Sequence, residues 1–235
     1  MSDQDLEKVD SGRRDFLKKS IVAGAVVWGA PAVTSLPGGR AWAQTYGECS
    51  CNGDAYGLRL IIPALGLDQT LGVDGSLVNV SPIAIPVVGG SVAATAVTGL
   101  DGSSVNGACF GRASVATLDL QVGPALAPIL TVAASIITAD ASASCPPCAT
   151  SGQSSIANLV VNGITVNATS ACNNDVLNLG LVVINQQSCD AEGNLTVNAI
   201  HITVPGIIEV IVSHAVAGAG DGAAGGSDCP CVACA

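Results

Sequence analysis

Between Tyr56 and Ala217 the chain alternates between short apolar runs and turn residues. The runs are rich in Val, Ile, Leu, Ala and Thr, and Gly, Asn-Gly, Asp-Gly or Pro separates them. This pattern is typical of β-strands and shows no charged helical periodicity. The predicted strands lie near 56–62, 77–87, 91–98, 112–122, 129–139, 155–161, 164–169, 176–186, 194–204 and 207–217. The sequence therefore predicts an all-β fold, a single antiparallel sandwich or barrel-like domain with disulfides.

The Ala-rich segment 125–143 is the main place where a helix competes with a strand. Its β-branched residues Thr131, Ile136, Ile137 and Thr138 lower helix propensity, so a strand is favoured there.

Turn signals predict how the strands pair. Asn162-Gly163 suits a two-residue type I′ turn, because both of its positions need positive φ. That turn would place Gln153 opposite Cys172. The remaining turn signals are Asp74-Gly75, Gly89-Gly90, Asp101-Gly102, Glu192-Gly193 and Pro205-Gly206.

The N-terminal 43 residues predict a twin-arginine export signal. Arg13, Arg14, Phe16 and Leu17 form the paired-arginine motif, and an interrupted apolar run from Ile21 to Val33 follows. Ala41 and Ala43 supply the small residues of a cleavage site. The apolar run is too short for a membrane span, which needs about 20 apolar residues. We therefore expect a leader over 1–43 and a soluble mature chain over 44–235, located outside the cell, at the cell surface or in the periplasm.

Charge divides the chain at the same boundary. The net charge is −10 overall, but residues 44–235 hold only Arg59 and Arg112 against 13 carboxylates, a balance of −11. Nucleic acids and anionic membranes are bound through Lys and Arg, so this composition excludes both as expected partners. Only three aromatics follow residue 43, which disfavours sugar binding by stacking.

All ten cysteines follow the predicted cleavage site, and in an exported chain an even count predicts disulfides. We expect Cys49 and Cys51 to pair with the C-terminal cluster of Cys229, Cys231 and Cys234, so that disulfides hold the two ends of the mature chain together. Cys172 and Cys189 flank a whole predicted strand, so they should not bond to each other. A bond from Cys172 to Cys145 or Cys148 is the expected alternative. The candidates are Cys49, Cys51, Cys109, Cys145, Cys148, Cys172, Cys189, Cys229, Cys231 and Cys234.

Other chemistry remains open for the same cysteines. Cys145-Pro-Pro-Cys148 has the spacing of a redox dithiol, but its surroundings predict a loop and a structural disulfide. The clusters 49–51 and 229–234 could instead hold a metal ion through thiolates, which is the alternative to an expectation of no cofactor. Free thiols with several metal ions per chain would indicate a metal-sequestering protein.

His201 and His214 are the only histidines. A two-residue turn at Pro205-Gly206 places His201 opposite Val210 and His214 opposite Val197, both on the face of Val212. They would then lie about 13 Å apart, too far to share one metal ion, and structural roles are expected. The acidic turn residues follow no calcium-binding spacing, so we interpret them as turn formers: Asp68, Asp74, Asp101, Asp175, Asp190 and Glu192.

Three stretches carry a family resemblance. Asn178-Leu-Gly-Leu-Val-Val-Ile-Asn185, the stretch from Gly193 to Gly206, and Glu209-Val-Ile-Val-Ser-His-Ala215 resemble the bacterial choice-of-anchor P family. The likeness spans residues 55–217, the expected core, and implies an exported, surface-associated protein without assigned catalytic residues. The Cys-rich tail, 218–235, departs from the family's anchoring pattern.

These observations predict a non-enzymatic, secreted or surface-associated β-domain with a structural, adhesive or interaction role. The expected partner is a cell-envelope or extracellular protein. The alternative is a metal-binding extracytoplasmic protein or a metal-dependent hydrolase that uses Cys or Asp ligands.

Overall fold

The apolar runs form antiparallel strands in a computed structural model. It describes residues 49–85, 88–103, 108–144, 149–168, 171–178, 180–221, 231 and 233, all within the unit 41–235. The strands are β1 (Cys49–Ile62), β2 (Leu67–Leu71), β3 (Val78–Ala84), β4 (Gly90–Ser103), β5 (Cys109–Val122), β6 (Leu130–Ser144), β7 (Ala149–Val161), β8 (Ile164–Val166), β9 (Asn174–Asp175), β10 (Val182–Cys189), β11 (Leu195–Val204) and β12 (Ile208–Asp221). Short 3-10 turns occupy Pro63–Leu65 and Val176–Asn178.

Two six-stranded sheets pack face to face. Sheet 1 has the order β2-β1-β12-β11-β10-β9, and sheet 2 has the order β3-β4-β5-β6-β7-β8. All neighbouring strands are antiparallel, and β1 and β12 pack over β4 and β5. The predicted all-β fold is confirmed as a two-sheet sandwich, and the helical alternative for 125–143 is wrong because β6 occupies most of it.

Small aliphatic side chains fill the space between the sheets. Along β5, for example, Cys109, Ala113, Val115, Leu118, Leu120 and Val122 are buried while most of the side chains between them reach solvent. The fully buried side chains are mainly Leu, Ile, Val and Ala, and Tyr56 is the one large aromatic among the buried residues that the structure describes. Shape-matched aliphatic packing therefore provides most of the core.

A line of backbone kinks crosses each sheet near its middle. Ala96, Ile136 and Asn158 have positive φ within β4, β6 and β7, and Asn185 and Ser213 have positive φ within β10 and β12. The cross-strand pairing is interrupted at these residues, as it is at β-bulges. Side chains that would face the core in a regular strand therefore face solvent beyond the kink, and the reverse. The buried Ser213 Oγ donates to the Ile137 carbonyl oxygen at 3.0 Å, which joins the two lines across the core.

Disulfides link parts of the fold that are distant in sequence. Cys51 on β1 bonds to Cys109 on β5, so this disulfide joins sheet 1 to sheet 2. Cys189, at the end of β10, bonds to Cys231 beyond β12. The predicted link between the two ends is therefore wrong for Cys51 and Cys231, since each has another partner, and Cys49, Cys229 and Cys234 lie outside the described side chains. These bonds indicate an oxidising, extracytoplasmic environment.

Cys172 is also disulfide-bonded, to a partner outside the described side chains. Because Cys189 is bonded to Cys231, the prediction that Cys172 and Cys189 do not pair is confirmed. The turn at Asn162-Gly163 has the expected positive φ at both residues, and Val161 pairs with Ile164. However, β8 ends at Val166, so the expected placement of Gln153 opposite Cys172 is wrong; Gln153 pairs with Asp140 of β6.

Several strand bounds differ from the prediction. β1 begins at Cys49, well before Tyr56, and β2 was not expected at all. Asp101-Gly102 lies inside β4 and is not a turn, because both residues continue the ladder with β5. In the predicted strand 176–186, the first residues form a turn and the strand starts only at Val182. Polar residues continue these strands where they face solvent, which an apolar-run criterion does not detect.

Candidate functional site

The outer face of sheet 1 carries one line of polar and aromatic side chains across four strands. Tyr56 of β1 pairs with His214 of β12, His214 pairs with Asn198 of β11, and Asn198 pairs with Gln186 of β10. We refer to these four residues as the polar row. It brings together one histidine, the described tyrosine and two amides, and it is the candidate functional site.

The kink line of sheet 1 explains why the polar row faces outward. Val212 is fully buried in the core, and His214, two residues later, would share its face in a regular strand. The positive φ of Ser213 reverses the faces between them. On β1, the side of Tyr56 turned towards the core is closely packed: a Cβ atom on Gly99 of β4 would lie 2.5 Å from the Tyr56 Cα. The backbone of both sheets therefore sets the position of the row.

Direct contacts connect the four side chains. The Tyr56 and His214 rings stack with centroids 4.2 Å apart and planes 12° from parallel. His214 Nδ1 lies 2.6 Å from Asn198 Oδ1, so in the neutral ring Nδ1 is the protonated, donating nitrogen. Asn198 Nδ2 donates in turn to Gln186 Oε1 at 2.8 Å. The row is a hydrogen-bonded chain and not four independent side chains.

Arg59 extends the row to the edge of sheet 1. Its Nε and Nη2 donate to Asp68 of β2 at 3.0 and 2.7 Å, a bidentate pair on the surface. Burial raises the pKa of Tyr56 to about 12, although the nearby Arg59 charge opposes that rise. The phenol is therefore neutral at physiological pH and is not a candidate nucleophile there.

His214 is also neutral at physiological pH. Burial lowers the pKa of His214 to about 4, with the Asp54 carboxylate opposing this shift and Arg59 adding to it. Asp54 Oδ2 is 3.9 Å from His214 Nε2. Because the imidazole is uncharged, that contact is not an ion pair at pH 7, and His214 acts as a stacking and hydrogen-bonding side chain.

His201 belongs to a separate cluster on the same face. Its Nε2 lies 2.9 Å from Glu209 Oε1 and 3.4 Å from Thr203 Oγ1. Thr203 and Glu209 are cross-strand partners, so the cluster is held by β11 and β12 near the turn that joins them. Both histidines thus have partners that hold their ring orientation.

The predicted pairing of the histidines is wrong by one residue. The connection between β11 and β12 contains Pro205, Gly206 and Ile207, so His201 pairs with Ile211 and His214 with Asn198. They do not share the face of Val212, which points into the core. A three-residue loop changes the parity of every pair in the hairpin.

Two of the acidic turn residues, Asp175 and Asp190, accept hydrogen bonds from residues close to them in sequence. Asp175 accepts from the Gly180 backbone N–H, and Asp190 accepts from the backbone and side chain of Asn194. Burial raises the pKa of Asp101, and the Asp54 and Asp74 carboxylates add to that rise. Within the residues that the structure describes, no three His, Cys, Asp or Glu side chains come together as a metal-binding group.

The described cysteines are not available as thiolates. Cys51, Cys109, Cys172, Cys189 and Cys231 are all in disulfides. The leader residues Arg13, Arg14, Phe16, Leu17, Ala41 and Ala43 lie outside the described residues, as do Cys145 and Cys148 of the possible dithiol. Among the described residues no helix has the length and apolar character to cross a membrane.

Sequence reasoning did not identify Tyr56, Asn198, Gln186 or Arg59 as site residues. The available signal was the short polar break, Ser213-His214, in an otherwise apolar strand, together with the polar Asn198 in the strand before it. His214 and Asn198 become cross-strand partners only when the loop between β11 and β12 has three residues. The Pro205-Gly206 motif predicted a two-residue loop, which shifts the pairing by one residue.

Comparison with protein-family models, with curated proteins and with solved structures returned no significant match for this chain.

Proposed function

We propose that this chain is a non-enzymatic β-sandwich that works outside the cytoplasm in a structural, adhesive or interaction role at the cell surface. The observation that carries the proposal is the closed contact network of the polar row. His214 is neutral and holds an amide through Nδ1, while Tyr56 is stacked and protonated. Tyr56 and Asn198 are largely buried and the polar groups of the row bond one another, so the row holds this part of the sheet 1 face rigid, as recognition surfaces require.

The export route is part of the same proposal. The paired arginines at 13 and 14, the apolar run and the Ala41-Trp42-Ala43 site support twin-arginine export of the chain. Disulfides in the sandwich agree with an extracytoplasmic destination. The resemblance to the choice-of-anchor P family supports surface association.

The outer face of sheet 1 is the proposed contact surface, and its partner is a cell-envelope or extracellular protein. Asp54 and Gln186 mark two positions on it, on β1 and β10. The charge of the chain, −11 over residues 44–235, disfavours polyanions as partners. The half-buried Gln186 amide and the exposed Asp54 carboxylate instead suit a protein surface that offers backbone and neutral polar groups.

A binding experiment with face-specific variants tests this function. Labelled protein from an exporting host is titrated onto washed envelope fractions of the same bacterium. We expect saturable binding that Asp54→Arg with Gln186→Arg weakens at least tenfold, because two long cations replace contact groups. Asp119→Arg with Gln121→Arg is the matched control: it makes the same two changes on β5 of sheet 2 and should bind like the wild type.

Two results would contradict the proposal. Equal loss in both double variants would mean that added positive charge, and not the sheet 1 face, controls binding. Metal-dependent turnover of ester, peptide or phosphoester substrates, abolished by removal of the metal, would show that the protein is an enzyme.

A further inference from the structure

Among the described residues, one edge of sheet 2 has no neighbouring strand over much of its length. β7 spans Ala149–Val161, but β8 pairs only with its last residues, Leu159–Val161. Over residues 151–158, no strand among the described residues lies on the side opposite β6. An exposed strand edge presents unpaired backbone groups and can accept another strand.

The other described edges are protected in recognisable ways. β2 is five residues long and carries the charged Asp68. β3 contains Pro82 and pairs irregularly with β4. On β10, Asn173 binds like a short strand: its N–H donates to the Asn185 carbonyl, and its side chain exchanges two bonds with the Gln187 backbone. Natural sheets use short strands, charge, Pro and β-bulges to block edge pairing. Residues 151–155 have none of these, and the kink at Asn158 lies beyond them towards β8.

Backbone direction on β7 identifies the groups at this edge. The Gly152 carbonyl accepts from Gln187 Nε2 at 3.1 Å, a group that lies outside the β6–β7 ladder. Backbone groups alternate along a strand, so residues 154 and 156 also direct their N–H and C=O away from β6. The edge thus offers donors and acceptors at Gly152, Ser154 and Ile156, and the Gly152 carbonyl keeps a second lone pair.

Charge favours pairing of this edge with its own copy. The mature chain has a balance of −11, so two copies repel each other at long range and a contact surface without charges adds no close-range repulsion. β7 is the one described strand of ten or more residues with no Asp, Glu, Lys, Arg or His. Its sequence over 149–161 is Ala-Thr-Ser-Gly-Gln-Ser-Ser-Ile-Ala-Asn-Leu-Val-Val.

We propose that a second copy of this chain pairs antiparallel with β7 around a twofold axis at Ser154 and joins the two copies of sheet 2 into one continuous sheet. This register places Ser154 opposite the partner's Ser154 and Gln153 opposite the partner's Ser155. An isologous contact of this kind closes on itself as a dimer.

Side-chain sizes match in this register. Gly152 faces sheet 1 and leaves no room for a side chain, since a Cβ there would lie 2.6 Å from Val197 Cγ2. Ile156, a half-buried residue packed against the core, lies opposite the partner's Gly152. Because Gly152 has no side chain, the isoleucine is the only side chain of this pair that has to fit on the side facing sheet 1. On the solvent face, Gln153 can hydrogen-bond the partner's Ser155. This self-association goes beyond the proposed binding role of sheet 1 and uses a different sheet.

Sedimentation equilibrium of the oxidised protein from an exporting host tests the dimer. We expect a concentration-dependent monomer–dimer equilibrium that Ser154→Pro weakens at least tenfold. Proline removes one N–H at the edge, where it is tolerated, and leaves the ladder with β6 intact. Far-UV circular dichroism checks that the variant folds.

A charge pair of variants tests the register independently of proline. Gln153→Lys with Ser155→Lys places like charges opposite each other and should give monomer. Gln153→Lys with Ser155→Glu places opposite charges together and should keep the dimer. Thr117→Lys with Ser114→Lys, on β5 of the same sheet, is the control and should also keep it.

A wild-type protein that stays monomeric at every concentration would overturn the proposal, including the case in which another segment of the same chain covers this edge. A dimer that persists in both Ser154→Pro and the double-lysine variant of β7 would also overturn it, because another surface would then hold the copies together.

Discussion

Replacing Cys51 and Cys109 with alanine is expected to lower the free energy of unfolding by about 4 kcal/mol, the loop-entropy value for a separation of 58 residues. This bond joins β1 of sheet 1 to β5 of sheet 2 in the folded protein, and its loss gives the unfolded chain more conformational freedom between residues 51 and 109. The corresponding fall in melting temperature is roughly 8–16 °C for a domain of this size. Differential scanning calorimetry of the oxidised wild type and the Cys51→Ala, Cys109→Ala variant measures it.

Ser142→Ala provides the control for this prediction. Ser142 is an exposed residue of β6, beside the pair formed by Cys109 and Ala143, and its replacement should change stability by less than about 0.5 kcal/mol. A double-alanine variant that melts within about 2 °C of the wild type would contradict a stabilising role for the inter-sheet bond.

Acid is expected to destabilise the protein through His214. Burial lowers the pKa of His214 in the folded protein to about 4, from its ordinary value of 6.5. Between these values the unfolded chain binds the extra proton and the folded protein does not, so stability is complete above pH 6.5 and falls as the pH drops towards 4. The slope is about 1.4 kcal/mol per pH unit. Chemical denaturation at several pH values measures this loss.

Other groups also change charge as the pH falls, so a variant must isolate His214. Asp54 and Arg59 are the charged groups that act on it. Burial raises the pKa of Asp101 and of Asp140, so their protonation as the pH falls acts in the opposite direction and favours the folded state. His214→Gln should remove the loss between pH 6.5 and 4, whereas His201→Gln should retain it. An unchanged pH profile in His214→Gln would refute the assignment.

The fold class could be predicted because local signals determine it. Val- and Ile-rich runs between turn residues indicate strands wherever one face is buried, and β5, β6 and β11 follow that rule. β2 was not predicted because it lies at a sheet edge and has no buried residue. Its sequence therefore lacks the alternation of apolar and polar residues that indicates a strand. Strand extent was underestimated in β1 and β4, where Asn52, Asp54 and Asp101 continue the ladder as surface residues.

The site could not be predicted because it depends on relations between strands. One extra residue, Ile207, shifts the β11–β12 pairing. The kink at Ser213 then reverses which side chains face solvent. Neither effect leaves a local signature as strong as Asn162-Gly163, whose pairing was predicted correctly. Disulfide partners were missed for the same reason, since Cys51 meets Cys109 only when the two sheets stack.

Non-reducing peptide mapping by mass spectrometry tests most directly whether the chain is a disulfide-stabilised sandwich outside the cytoplasm. Protein from an exporting host should yield the Cys51–Cys109 and Cys189–Cys231 peptides. The even count of ten cysteines predicts an intact mass ten hydrogens below that of the reduced chain. The same chain with Arg13→Lys and Arg14→Lys should stay in the cytoplasm with reduced thiols. Free thiols in the exported protein, or Cys51 linked to the 229–234 cluster, would show that the disulfides described above do not form.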